Sequence, residues 1–304
     1  MTYTEASFDD ASEVVDAAGL SNLLAIKKLE GGWANSNYVL TLDNSEKVVL
    51  KIWNEQSLEE VNYLLSVTSY LSEKGISTPS PMKFLDGGYI FIKNGLAWTL
   101  LPFIEGNWLQ PTPDSLYSLG RAQAELHLLD PPSILRTDFS MGYKLFEKLF
   151  KIADESGEWS EFLYLLKTES TLLMSTIGEL PKGIIHGDLF PDNVIGSSEE
   201  VRAILDFEEV SYDILAFDLA MTFVGFGWLE GEPVAERWNS ILSGYQSVRT
   251  LNSDEVKALP ALHRLATLSI AAWRYWQFVI NLPDTENTDR YLEMTKRLNK
   301  ELPF

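Results

Sequence analysis

The chain reads as a two-lobed α+β protein: a small antiparallel-sheet lobe over residues 1–105, then a larger, mainly helical lobe over 106–304. Three observations predict this. Residues 24–52 alternate apolar and polar positions around the turn Asp43-Asn44-Ser45. YIFIKNGLAWTLLPFIEG, residues 89–106, repeats that alternation around Asn94-Gly95. Beyond Gly106 the apolar positions recur at helical spacing almost throughout, broken only by short apolar runs between residues 184 and 209.

Taken in order, residues 8–20 predict an amphipathic helix, and LLAIKKLEGG followed by NYVLTLDNSEKVVLKIW predicts a three-strand meander. Residues 57–75 predict one helix, with apolar residues at 61, 64, 65, 67 and 71, Ser57 as its cap and Gly75 as its stop. Thr78-Pro79-Ser80-Pro81 is a rigid connector to two further strands. The first lobe is thus a sheet crossed by a helix, with its boundary at Pro102–Gly106 and an expected interlobe cleft, a usual place for a ligand. Internal repeats and low-complexity segments are absent from the sequence.

Composition narrows the function classes. With 304 residues, 45% hydrophobic and 12% aromatic, the chain can bury one large core or two lobes. No apolar stretch reaches the roughly 18–20 residues that span a bilayer, and the start MTYTEASFDDASEVVDAAGL lacks the basic and apolar regions of a signal peptide. A cytoplasmic location is expected. Zero cysteines exclude disulfides, thiol catalysis and thiolate metal sites. A charge of −20, from 44 acidic and 24 basic residues, disfavours nucleic acids and anionic membranes as partners.

The chemistry concentrates in IIHGDLFPDNVIGSSEEVRAILDFEE, residues 184–209. In so acidic a chain a charge run is usually a solvated face, and Glu199 and Glu200, after Gly196-Ser197-Ser198, fit a hairpin turn. Asp188, Asn193 and Asp206 do not fit that reading, because each lies at the edge of an apolar run. Asp and Asn oxygens are hard ligands suited to Mg²⁺ that shares its coordination with phosphate oxygens. The spacing Asp188-x-x-x-x-Asn193 matches the kinase catalytic loop, in which the Asp accepts a hydroxyl proton and the Asn holds metal. Thirteen residues on, Asp206-Phe207-Glu208 occupies the place of the kinase D-F-G, whose Asp holds metal.

Other residues take meaning beside these. Gly31, Gly32, Asn35, Ser36 and Asn37 lie between the first two strands, where backbone N–H groups and small polar side chains can cover phosphates; the alternative is an ordinary hairpin turn. Lys51 ends the apolar run VVLKI and needs anionic company, which phosphates would supply; the alternative is an edge-strand lysine. Its helix partner is expected to be Glu60, which shares a face with Leu64, Val67 and Leu71, rather than Glu59. His186 reads as a residue that orients the loop backbone, Asp218 in AFDLA as an anchor of that loop, and His127 as a satisfied core or interface histidine.

Together IIHGDLFPDNVI, LDFEEVSYDILAFDLA, GGWANSNYVL, VVLKIW and LLPFIEG resemble the aminoglycoside phosphotransferase and choline kinase-like group of small-molecule kinases, over roughly residues 25–280. HGDLFPDNV with LDF and AFDLA is most similar to the bacterial type II homoserine kinases within that group. The resemblance implies a bilobal protein-kinase-like fold, with a nucleotide-binding lobe at 1–105 and a catalytic and acceptor-binding lobe at 106–304. It implies transfer of the γ-phosphoryl group of ATP to the hydroxyl of a small molecule, homoserine or a related amino alcohol. Asp188 would be the base, Asn193 and Asp206 would hold Mg²⁺, Lys51 would hold the α- and β-phosphates, and backbone groups at Leu101, Phe103 and Ile104 would meet the adenine edge. Glu208 stands where D-F-G has glycine, as also in choline kinase-like relatives. On the acceptor side Asp192 and Arg274 are candidates, Arg274 because a guanidinium grips a carboxylate with two bonds; the alternative for it is an ion pair with one of many acids. An aminoglycoside or choline/ethanolamine acceptor stays open, as does a catalytically silent nucleotide-binding regulator.

Overall fold

The computed structural model describes residues 4–29, 35–283 and 285–304. The chain forms two compact units: one runs up to Asn107 and includes Arg202–Leu205, the other comprises Trp108–Val201 and Asp206–Phe304. Among the described residues, no helix is long and apolar enough to cross a membrane.

In the first unit, α1 (Phe8–Ala17) is started by a capping box between Ser7 and Asp10. Strands β1 (Leu23–Lys28), β2 (Asn35–Leu42), β3 (Lys47–Trp53), β4 (Phe91–Lys93) and β5 (Leu96–Pro102) form one antiparallel sheet in the order β1-β2-β3-β5-β4. Alternation sends Leu40, Leu42, Val48, Leu50 and Ile52 into a core shared with Val14, Val15, Trp98 and Leu100, each such side chain contributing roughly 2 kcal/mol of burial. Asn94 and Gly95 both have positive φ, 52° and 77°, as a two-residue hairpin turn between β4 and β5 requires. Helix α2 (Leu58–Glu73), capped by Ser57, carries Val61, Leu64 and Leu65 against Trp53 and Ala97.

A short strand, β6 (Asn107–Trp108), spans the change from one unit to the next. The second unit is built from α3 (Pro113–His127), α4 (Tyr143–Ser156), α5 (Glu161–Thr176), α6 (Leu215–Phe226), α7 (Ala235–Gln246), α8 (Ser253–Tyr275) and α9 (Arg290–Thr295). Between α5 and α6 lie strands β7 (Lys182–Ile185), β8 (Val194–Gly196), β9 (Val201–Ile204) and β10 (Ser211–Ile214). Helix α6 is buried at every residue except Gly225, as a helix apolar on all sides must be. The single acid among those buried residues, Asp218, therefore needs partners within the unit.

Helices α3 and α7 cross in backbone contact. A Cβ on Gly120 would stand 2.0 Å from the Ile241 carbonyl oxygen, and one on Gly244 would stand 1.9 Å from that of Tyr117. No other residue fits either position at this spacing. Helix α8 stops at Tyr275 and the chain continues as a π-helical turn, Trp276–Asn281, although the helical spacing of its apolar residues runs on.

Candidate active site

Strand β7 delivers the loop that carries Asp188 and Asn193. It pairs antiparallel with β10, Ser211 opposite Ile185 and Ile214 opposite Lys182, and its apolar residues 183–185 are buried. The chain then turns at Gly187, whose φ is +82° and whose missing Cβ would lie 2.7 Å from the Phe139 ring and 2.9 Å from the Glu209 carbonyl oxygen. Only glycine satisfies both the dihedral and the space.

Past the turn the loop is closed by its own polar groups. The Asp188 N–H donates to His186 Nδ1 at 3.2 Å, so this nitrogen is the acceptor of the ring. Asn193, delivered by the single 3₁₀ turn Pro191–Asn193, donates from Nδ2 to the Asp188 carbonyl at 2.7 Å and to Asp188 Oδ2 at 3.2 Å. With Nδ2 so committed, the amide oxygen is the end of Asn193 that could hold a metal. The loop is anchored from below by Asp218: Oδ1 accepts from Gly187 N at 2.7 Å, and Oδ2 from His186 N at 3.1 Å, Gln123 Nε2 at 2.8 Å and His127 Nε2 at 3.0 Å. His186 and Asp218 thus have the orienting and anchoring places expected of them.

Asp206 follows β9 in the left-handed region, φ 60° and ψ 57°, heading the 3₁₀ turn Phe207–Glu209. That conformation costs an L-residue about 1 kcal/mol or more, and Asp is among those that adopt it most readily. Phe207 is buried and packs on His186, ring centroids 4.6 Å apart, which ties the second motif to the first while the Asp206 side chain stays exposed. Asp192 is exposed as well. Burial first, then the charges of Asp192 and Asp206, push the Asp188 carboxyl up to about 7, and the Asn193 N–H offsets this in part. Three acids within electrostatic reach make a place that favours a cation.

The donor set decides which kind. Among the described residues no group of three or more His, Cys, Asp or Glu could hold a metal ion. Asn193 and Asp206 would supply only two hard oxygens, so an ion held there must complete its shell with water and with oxygens of a bound ligand. This suits an ion such as Mg²⁺ shared with phosphate. Glu199 and Glu200 keep to the solvated turn, their N–H groups donating to Ser197 Oγ.

The remaining candidates in the first unit surround one strand. Lys51 lies in β3 between Asn37 of β2 and Thr99 of β5. It is buried to 8% exposure, with Nζ 4.0 Å from the Trp53 ring centroid. Trp53 is in turn fixed by its Nε1–H donating to Thr99 Oγ1 at 3.0 Å. Asn35 and Ser36 are buried at the start of β2, and Ser36 Oγ accepts from Asn54 Nδ2 at 3.2 Å. Gly31 and Gly32 lie outside the described residues. Glu60 is half-buried in the first turn of α2 while Glu59 is exposed. Leu101, Phe103 and Ile104 end and follow β5, all half-buried, and the Phe103 N–H donates to the Lys47 carbonyl at 3.4 Å.

Arg274 holds Glu293 at 2.9 Å and the Arg290 carbonyl at 3.0 Å; burial and then the Arg290 charge lower its pKa. Gln123, Tyr245 and Arg249, which belong to the polar surroundings of Asp218, carry no motif and were not marked by the sequence. The signal that finds them is a buried acid in an otherwise apolar helix.

Comparison with known proteins adds the following. The model of the phosphotransferase enzyme family matches residues 25–251. The homoserine kinase of Rhizobium etli is 30% identical over 289 residues, 91% of this chain and 88% of that protein. Among solved structures, a microcompartment-associated aminopropanol kinase superposes with a TM-score of 0.71 at 18% identity, over 96% of this chain and 95% of that one. The amicoumacin kinase hAmiN, in complex with AMP-PNP, Ca²⁺ and Ami, superposes with a TM-score of 0.72 at 17% identity, over 97% and 96%.

Proposed function

The chain belongs to the phosphotransferase enzyme family, and from that premise we propose that it transfers the γ-phosphoryl group of ATP to the hydroxyl of a small molecule, with homoserine as the acceptor. The observation that carries the reading is the closed Asp188–Asn193 loop beside Asp206. Asp188 orients the acceptor hydroxyl and takes its proton as the oxygen attacks phosphorus. The bond from phosphorus to the bridging oxygen breaks in line, and ADP leaves with that electron pair. Asn193 and Asp206 hold Mg²⁺, which when bound offsets the negative charge of the phosphates. Lys51 holds the α- and β-phosphates, Glu60 orients Lys51, and the segment from Gly32 through Asn35, Ser36 and Asn37 covers the phosphates. Backbone groups at Leu101, Phe103 and Ile104 meet the adenine.

The acceptor follows from the relatives and from charge. Curated relatives that cover nine-tenths of the chain are homoserine kinases. A homoserine carboxylate entering a protein of charge −20 needs a local cation, and Arg274 is the candidate, with the substrate carboxylate taking the place of Glu293. Asp192, exposed beside Asp188, faces the acceptor amine.

ADP release with MgATP and a panel of homoserine, aminopropanol, choline and an aminoglycoside tests the assignment. Homoserine is expected to be the fastest acceptor, and Arg274→Ala to raise its KM about tenfold or more, the value of a lost charge-assisted pair, while the ATP KM stays unchanged. Turnover of choline or an aminoglycoside with homoserine inert would reject the carboxylate pocket. No ATP consumption with any acceptor would favour a silent nucleotide-binding regulator.

A further inference from the structure

The anchor beneath the candidate loop does not end at Asp218. Its Oδ2 meets His127 Nε2 at 3.0 Å, and His127 Nδ1 lies 2.7 Å from the Tyr245 hydroxyl. Arg249 donates from Nη1 to that hydroxyl at 3.1 Å and from Nη2 to Glu255 Oε1 at 2.7 Å. Glu255 closes the chain by accepting the Asn252 N–H at 2.9 Å in the first turn of α8. Asp218 and Tyr245 are fully buried, Glu255 is 1% exposed and His127 4%.

The direction of this relay is set by its two ends. The Asp218 carboxylate only accepts, so the ring hydrogen of the neutral His127 sits on Nε2 and is donated to Asp218, which leaves Nδ1 to accept the Tyr245 O–H. A guanidinium only donates, so the Tyr245 oxygen accepts in turn from Arg249. Burial raises the pKa of the Tyr245 phenol, which keeps that proton in place. Every hydrogen bond therefore points from Arg249 to the carboxylate that holds the backbone of His186 and Gly187. The spacing is set by the backbone contact of α3 and α7: Gly244 precedes Tyr245, and Gly120 lies two turns before His127 on the facing helix. An apolar core of the same volume would be as stable as such a buried charged chain or more so. What the polar chain adds is a single orientation for Asp218.

We propose that Tyr245 and Arg249 are positioning residues of the phosphoryl transfer, holding His127 as its Nε2–H tautomer and, through Asp218, holding the Asp188 backbone where its carboxylate meets the acceptor hydroxyl. The proposal rests on the reading of Asp188 as the base. Neither residue touches a substrate in this arrangement, so their loss changes the chemical step and not nucleotide affinity.

Steady-state kinetics of the full chain with MgATP and homoserine, together with ¹⁵N spectra of its three histidines, test it. Tyr245→Phe and Arg249→Met are expected to lower kcat roughly tenfold to a hundredfold, the scale of a small misplacement of a reacting group, with the ATP KM unchanged. Arg249→Lys, which keeps a cation beside Glu255, is expected to recover part of that loss and preserves the comparison if the Met variant does not fold. His127 is expected as the Nε2–H tautomer in the wild type and as a mixture in Tyr245→Phe. Wild-type kcat in a folded Tyr245→Phe, an ATP KM that rises as much as kcat falls, or an Nδ1–H tautomer in the wild type would each overturn the proposal. A wild-type chain that phosphorylates no hydroxyl overturns the catalytic role along with the reading beneath it. The histidine spectrum, read without turnover, tells that failure apart from a failed relay.

Discussion

Asp188 and Asp218 serve the same loop, and their surroundings treat one functional group in opposite ways. Asp218, inside the helical unit, is met by two backbone N–H groups, Gln123 and His127. Burial alone would raise its pKa; the hydrogen bonds from His127 and Gln123 hold it below the usual carboxylate range. Asp188 has one side-chain donor, Asn193, and two acids for neighbours, and it is pushed up to about 7. The difference separates two uses of an acid. A carboxylate saturated with donors is a fastener, whereas one surrounded by other carboxylates is held ready for a cation and a proton.

The comparison breaks most completely at the acidic end. Asp206→Ala is expected to abolish Mg²⁺-dependent nucleotide binding, and Asn193→Ala to weaken it less, because only the first deletes a full charge facing the ion; calorimetric titration of MgATP into both variants reads the difference. Undiminished affinity in both would move the metal site elsewhere. Next comes the proposed base: Asp188→Asn is expected to lower kcat by roughly 10² or more, the range of general-base contributions, with little change in ATP affinity. Steady-state kinetics at saturating homoserine is the measurement, and near-normal kcat would remove Asp188 from the mechanism.

The fastener breaks differently. Asp218→Asn sets an amide N–H against donors that already point inward, and an orphaned buried partner of this kind costs about 3 kcal/mol, to be read as a shift in urea midpoint at constant slope. The smallest effect sharpens the contrast through pH. Because Asp188 binds its proton more tightly folded than unfolded, its contribution to the metal-free protein is present below the ordinary carboxylate range and is lost as pH rises through about 7. Asp218 has the opposite sign: its contribution is present at neutral pH and is lost only in acid. Asp188→Asn is therefore expected to stabilise the metal-free protein at pH 8, by about 1 kcal/mol once solvent screening of a half-buried group is allowed for, with the gain clearly smaller near pH 5 and gone only below the ordinary carboxylate range. Denaturation at the two pH values checks this.

Much of this was legible in the sequence for a physical reason. Strand alternation around Asp43-Asn44-Ser45 and Asn94-Gly95 is a local signal, and the sheet appears where that signal lies. The spacing of Asp188 and Asn193 is local too, because one 3₁₀ turn brings them into hydrogen-bond contact. Tyr245 and Arg249 were invisible because nothing local brings them to the loop. Tyr245 reaches His127 across 118 positions of chain and only through the crossing of two helices, and one tyrosine and one arginine at i, i+4 look like any helix surface. The π-helical turn at Trp276–Asn281 was missed because the apolar periodicity runs straight through it.

The glycine pair at the α3–α7 crossing also has a consequence for the descent of the family. Two positions without side chains, 124 residues apart in the numbering, act as one character, since a methyl group at either forces the helices apart. Related chains that carry a larger residue at position 120 or 244 are expected to have surrendered the tyrosine at 245 or the histidine at 127 in the same lineage, whereas chains that keep both glycines remain free to keep the pair. Correlated substitution at four positions that share no motif would thus record, in aligned descendants, a distance that no single sequence displays.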